Sequence, residues 1–195
     1  MFAAAIFDMD GLLIDSERPI MAAWIEVART LGIELSHSQY MQVVGLSTVE
    51  SEVVLASLLG GAAAYTHAVG LVRQRLQLER SDGTPLFPIK SGAAEMLAAL
   101  RERGTRCAVA SSSTSAQIQA CLGSLGVDPA DCIAFEDSEN GAKAALAAGL
   151  RVVVVPDLKH PPASIAEQAF HVLDSLHDAL AHLSRWFPQQ AMQKV

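Results

Sequence analysis

Five residues in this chain have the types and spacing to do chemistry together: Asp8, Asp10, Ser111 and the adjacent pair Glu136 and Asp137. Carboxylates crowded together repel one another and require a counter-charge. Oxygen-only donors from Asp and Glu suit a hard divalent cation, of which Mg²⁺ is the usual one. A metal with open positions can hold a phosphate and neutralise its charge during transfer. One carboxylate can then attack phosphorus, giving an aspartyl-phosphate. A second carboxylate two residues away can act first as general acid and then as base. Each fragment alone also has an ordinary explanation: Asp-x-Asp-Gly as a loop, the serine run as a helix cap, and Asp137-Ser138 as a cap. Their weight is joint, because all three fall at the same end of successive predicted strands.

The elements that must position them follow from the apolar pattern. Residues 3–7 read as a short buried strand ending in Asp8-Met9-Asp10-Gly11. Ser16 can cap the next helix, where Pro19 is tolerated in the first turn. Ile20, Trp24, Val27 and Leu31 recur at helical spacing, and Gly32 stops the run. Further helical patterns cover 37–43, 48–59 and 62–80, so 15–80 is an all-helical block. After the turn-rich stretch Ser81–Pro85, helices over 91–103, 115–124 and 139–148 alternate with strands over 106–110, 132–135 and 151–155. Phe170–Leu173 is a candidate last strand before a helix over 175–185.

This alternation implies an α/β fold: a Rossmann-like, mostly parallel sheet with helices on both faces. The helical block is an insertion, which predicts a core of residues 1–15 and 86–195 and an α-helical cap of residues 16–85, hinged near 14–17 and 82–88. In such a sheet, ligands sit at the carboxyl ends of the strands. His37 and His67 read as exposed helix residues and Trp24 as core packing.

Composition bounds the function. The chain has 195 residues, 51% hydrophobic and 18% charged, enough for a sizeable core. Its net charge of −7 and pI near 5.3 argue against a nucleic-acid groove or an anionic membrane surface. No apolar run is long enough to span a membrane, and the start lacks the basic leader of a signal peptide. Three cysteines, Cys107, Cys121 and Cys132, without C-x-x-C spacing, read as small buried thiols in a reducing cytoplasm.

Three segments carry a resemblance. Ile6-Phe7-Asp8-Met9-Asp10-Gly11-Leu12-Leu13-Ile14-Asp15-Ser16-Glu17 resembles the first motif of the haloacid dehalogenase-like hydrolases. Ala110-Ser111-Ser112-Ser113 resembles their second, and Phe135-Glu136-Asp137-Ser138-Glu139-Asn140-Gly141 their fourth. The branch most similar is that of the β-phosphoglucomutase-like phosphatases. The resemblance implies roles by position. Asp8 matches the nucleophile and a metal ligand, and Asp10 the general acid/base, with its carbonyl on the metal. Ser111 matches the hydroxyl that hydrogen-bonds the phosphoryl group. Asp137 and Glu136 complete the Mg²⁺ site. Gly11 and Ser112 belong to the phosphate-binding surroundings, and the loop carrying Gly45 and Ser47 is the part of the cap that faces substrate.

The family's third motif, a Lys in a Gly-Lys-Pro-x-Pro setting, is missing: Ser112–Phe135 holds no Lys or Arg. The gap is short by about one strand–helix unit, roughly 30 residues. The lost strand would be an edge strand beside the second-motif strand, leaving a newly exposed edge. Among possible replacements, Lys90 is read as opening a helix at the far side, Lys143 as a solvated face, and Lys159 as the one plausible candidate. The mutases' cationic contacts to a second phosphate are Thr48 and Thr114 here. The reading is therefore Mg²⁺-dependent hydrolysis of a small phosphate monoester, with a sugar phosphate as one candidate, by a monomer or weak homodimer without nucleic-acid or membrane partners. Two alternatives stay open: a β-phosphoglucomutase-type isomerase, and a weak or inactive binding relative or deletion product.

Overall fold

A computed structural model describes residues 1–77, 84–111 and 114–189. In chain order the elements are β1 (Ala4–Phe7), α1 (Glu17–Thr30), α2 (His37–Tyr40), α3 (Thr48–Leu58), α4 (Ala62–Gln77), α5 (Ala93–Glu102), β2 (Arg106–Val109) and α6 (Ser115–Leu125). There follow β3 (Cys132–Glu136), α7 (Glu139–Ala147), β4 (Arg151–Val154), α8 (Ala163–Ala166), β5 (His171–Val172), α9 (Leu176–Leu180) and α10 (Leu183–Trp186). The chain divides into two compact units, Met1–Ile14 with Ile89–Val195, and Asp15–Pro88. The expected turn at Ser81–Gly83 and the end of the 62–80 helix lie outside the described residues.

The first unit is built on a parallel sheet in the order β2-β1-β3-β4-β5. In register, Phe7 stands opposite Val109 on one side and Phe135 on the other, and Glu136 opposite Val154. Side chains alternate between the two faces of each strand. Ala5, Phe7, Ile133, Phe135 and Val153 point to one face, where they pack with Met96 and Leu100 of α5 and with Leu176, Ala179, Leu183 and Trp186 of α9 and α10. The rings of Phe7 and Phe135 stack there with centroids 4.8 Å apart. Ala4, Ile6, Cys132, Ala134, Val152 and Val154 point to the other face, against α6, α7 and α8. Both faces are covered, as an interior parallel sheet requires.

β2 is the exception: among the described residues it pairs only with β1, and it is largely exposed, Val109 at 55%. Among the described residues no strand lies between β2 and β3; only α6 and a short 3₁₀ turn, Pro129–Asp131, connect them. This corrects the expectation of three buried thiols. Cys132 is buried in interior β3 and Cys121 is half-buried, but Cys107 is exposed because its strand is an uncovered edge.

The second unit is helical. Trp24 is buried in α1 and stacks on Tyr65 of α4, centroids 5.8 Å apart. Met21, Val27, Tyr40, Leu55, Ala68 and Val72 are among the other buried residues of its core. Ser16 does not cap α1 through its side chain. Its backbone is already helical, with φ −93° and ψ −31°, whereas a capping side chain needs an extended residue. Three other N-termini do follow the rule: Ser36, Ser47 and Thr114 each close a reciprocal capping box. His37 and His67 are exposed. No single helix among the described residues is long and apolar enough to cross a membrane.

At the β5 side of the sheet, His171 sits among Phe170, His182 and Trp186, with ring centroids 4.6, 5.1 and 5.3 Å away. Burial first, and then the charges of His182 and Arg185, hold its imidazolium below the ordinary value of 6.5. A group whose folded pKa is depressed contributes stability above its unfolded pKa and loses it as pH falls through the folded one. Urea midpoints are therefore expected to fall as pH drops below about 6.5. His171→Phe is expected to flatten that decline, and an unchanged pH slope in the variant would count against the burial of a neutral ring.

Candidate active site

Parallel register brings the candidate residues to one edge. Asp8 continues β1 by one residue: its N–H donates to Phe135 O at 3.0 Å, while Ala110 N–H donates to Phe7 O at 2.9 Å. Asp8 therefore shares a face with Ala4 and Ile6, and Glu136 shares that face with Cys132 and Ala134, by the period of two along each strand. The strand spacing then makes the two carboxylates neighbours. Asp137 joins them, and oxygens of Asp8, Glu136 and Asp137 all lie within 4.8 Å of one another. Asp8 and Glu136 are buried, at 9% and 4% exposure.

Asp10 stands outside this triangle, and its carboxylate accepts from Ser111 Oγ at 3.3 Å. The loop after β1 is closed tightly: Gly11 N–H donates to Ile14 O at 2.9 Å, and Leu13 and Ile14 both donate to Met9 O at 3.0 Å. Gly11 has φ +81°, and a Cβ there would strike the Asp137 carboxylate and lie 3.6 Å from Asp157 Cβ. The site thus brings together Asp8, Asp10, Gly11, Ser111, Glu136 and Asp137. Ser112 lies outside the described residues. Gly45 and Ser47 belong to the helical unit, where Gly45 takes φ +77° and Ser47 is engaged in the α3 capping box with Glu50.

The local sequence explains the acid cluster's fit. Ser138 caps α7, its Oγ accepting from Gly141 N–H at 3.1 Å, so the helix begins directly behind the pair of acids. Gly141 leaves room for Glu136: a Cβ at 141 would collide with the Glu136 carboxylate. Burial first, and then the charges of Asp8 and Asp137, push the Glu136 carboxyl up to about 9. An oxygen-only set that repels itself this strongly fits a hard divalent cation, which would favour the charged form of Glu136.

Two residues that sequence reasoning missed or misplaced sit beside the cluster. Asp157, its side chain 1% exposed, forms an ion pair with Lys90. Lys90 is therefore on the site's side of the sheet, not the far side. The topology carries the reason: a helix leading back into a parallel strand starts at the carboxyl edge, so a residue just ahead of α5 belongs there. Asp157, beyond the end of β4, carried the same strand-end signal as Glu136. Lys159 is exposed, and Lys143 pairs with Glu139 on the solvated side of α7.

The chain is similar to several known proteins. The family model described as haloacid dehalogenase-like hydrolase matches residues 5–128. Hexitol phosphatase B of Escherichia coli (strain K12) is 30% identical over 187 aligned positions, covering 78% of this chain and 83% of the relative. A probable pseudouridine-5'-phosphatase of Drosophila melanogaster is 27% identical, covering 95% of this chain and 91% of the relative. Among solved structures, a HAD family hydrolase from Deinococcus radiodurans R1 with bound phosphate and sodium superposes with a TM-score of 0.75 at 23% identity, over 97% of this chain and 98% of that one.

The room at Gly141 gives a direct test of the cluster. Mg²⁺ is expected to stabilise the wild-type chain, by about 2.7 kcal/mol at one hundred times its dissociation constant. Gly141→Ala removes a helical glycine, so it should fold, yet its methyl displaces the Glu136 carboxylate. Thermal shifts with and without Mg²⁺ should show the wild-type gain and most of it lost in the variant. An equal gain in both would mean that Glu136 is not a ligand.

Proposed function

The chain belongs to the haloacid dehalogenase-like hydrolase family, and we propose that it is a Mg²⁺-dependent phosphatase of a small phosphate monoester, with Asp8 as the nucleophile. The observation that carries this reading is the convergence of Asp8, Glu136 and Asp137 within 4.8 Å, beside an Asp10 that accepts from Ser111. The relatives named as hexitol and pseudouridine-5'-phosphatases support a polyol or sugar phosphate as substrate class.

In this mechanism Asp8, Glu136 and Asp137 hold the cation, which when bound offsets phosphoryl charge. An Asp8 carboxylate oxygen attacks phosphorus as the bond to the ester oxygen breaks. Asp10, entering as the neutral acid, gives its proton to the departing alkoxide, so the alcohol leaves neutral. The Asp10 carboxylate then takes a proton from water, whose oxygen attacks phosphorus and displaces Asp8. Phosphate leaves, and both side chains return to their starting states. Ser111 Oγ donates toward the phosphoryl oxygens and, in their absence, toward Asp10. Placing acid and nucleophile two residues apart on one tight loop fixes their separation without long-range adjustment.

Thr114 closes the α6 capping box with Gln117, and Thr48 is the first residue of α3. Neither offers a charge for a second phosphate, which favours hydrolysis over a mutase reaction. Phosphate release from a panel of sugar and polyol phosphates tests the reading. Mg²⁺-dependent turnover is expected, with Asp8→Asn lowering kcat by about 10³-fold or more. Turnover that survives Asp8→Asn, or no turnover in folded wild type, would overturn it.

A further inference from the structure

The acids at the carboxyl edge pose an electrostatic problem that one cation does not solve. Asp8, Asp10, Glu136, Asp137 and Asp157 all gather there. A phosphate monoester adds further negative charge, and a single divalent ion leaves the assembly net negative. Anion binding in such a place calls for a second, fixed positive group.

Lys90 has the placement for it. Its backbone N–H donates to Leu13 O at 2.9 Å, and Ile89 bridges Ile14, so residues 89–90 are laced to the loop that carries Asp10 and Gly11. Its ammonium pairs with Asp157, a carboxylate whose side chain is 1% exposed. A Cβ at Gly11 would lie 3.6 Å from Asp157 Cβ and would strike Asp137, so Asp157 borders the same small space as the acid cluster. The Lys90 side chain is 21% exposed, so the charge is partly desolvated, but reachable. An ammonium has three N–H donors, and one carboxylate oxygen uses one of them. A lysine held this way has already lost its rotamer freedom, so its attraction for an arriving anion is preorganised.

We propose that Lys90, anchored by Asp157, is the ammonium that binds the phosphoryl group of the substrate. This deepens the phosphatase reading and rests on it. The assignment differs from a structural role in a way that can be measured. If the pair only pins the loop, replacing both partners by neutral amides keeps the hydrogen bond and removes the buried charges, a change that is often tolerated. If Lys90 binds phosphate, the double replacement still lacks the charge.

The test uses inorganic phosphate as the probe, titrated calorimetrically into the Mg²⁺-loaded protein, beside turnover of the best ester. Lys90→Gln/Asp157→Asn is expected to fold, to keep its Mg²⁺ response and to bind phosphate about 10–100-fold more weakly, the range for losing one charge-assisted hydrogen bond. Lys90→Arg should recover part of the loss, and Lys159→Ala should match wild type. Wild-type phosphate affinity in the double variant, or the loss appearing in Lys159→Ala instead, overturns the assignment. Wild type that fails to bind phosphate with Mg²⁺ also overturns it. Wild type that binds phosphate yet hydrolyses no ester removes the phosphatase reading alone, and the phosphate titration still decides the role of Lys90.

Discussion

The site depends on holding like charges together where they would separate if free. Asp8 and Glu136 project from adjacent strands on the same face, and the ladder between β1 and β3 fixes their separation at about the spacing of neighbouring strands, ~4.8 Å. Neither can retreat without breaking an interior ladder. Asp137 is kept beside them because Ser138 ends the strand and starts α7 at once. The start of that helix carries partial positive charge, which favours acids nearby. Yet burial and mutual repulsion still push Glu136 up to about 9, so the backbone geometry prevails over the electrostatics. The repulsion that the fold tolerates is what would make the place receptive to a cation.

Small residues make that arrangement possible. A side chain at Gly11 would invade the space of Asp137, and one at Gly141 that of Glu136. Alanines line the sheet face beneath the acids, Ala4 and Ala134 on the strands with Ala142 and Ala145 on α7, so the helix can approach closely. The bulk of the core, with Phe7, Phe135, Met96 and Trp186, is on the opposite face. The division is physical: the aromatic face supplies most of the apolar burial, and the alanine face supplies proximity.

Much of this was legible in the sequence, because it depends on local rules. The strand ends, the motif acids and the capped helices follow from patterns a few residues long. The parallel sheet follows from alternation of strands and helices. What the sequence did not give up depends on partners distant along the chain. Lys90 and Asp157 meet only because α5 begins at the carboxyl edge and β4 ends there. Ser16 has the right side chain for a cap, but the chain path gives it a helical backbone. The exposure of Cys107 follows from the open β2 edge that the short Ser112–Phe135 segment implied, a consequence that the residues around the cysteine do not carry by themselves. The 175–185 helix resolves into two short pieces, α9 and α10, which share one covering role over the aromatic face.

The two halves of the site differ in how firmly they are built. The acid cluster grows from β1 and β3, each paired on both sides. Ser111 grows from β2, paired on one side only among the described residues, and it donates to Asp10 at 3.3 Å. A strand can be absent beyond β2 without disturbing any ladder that positions the acids, so loss at that edge spares the cation half of the site. The phosphoryl half has less support from the sheet. Under the phosphatase reading it needs positive charge from elsewhere, since Ser112–Phe135 supplies no Lys or Arg. Lys90 reaches the same edge through a segment laced to the loop after β1, the strand at the centre of the site. Its anchorage is therefore to the firmer half.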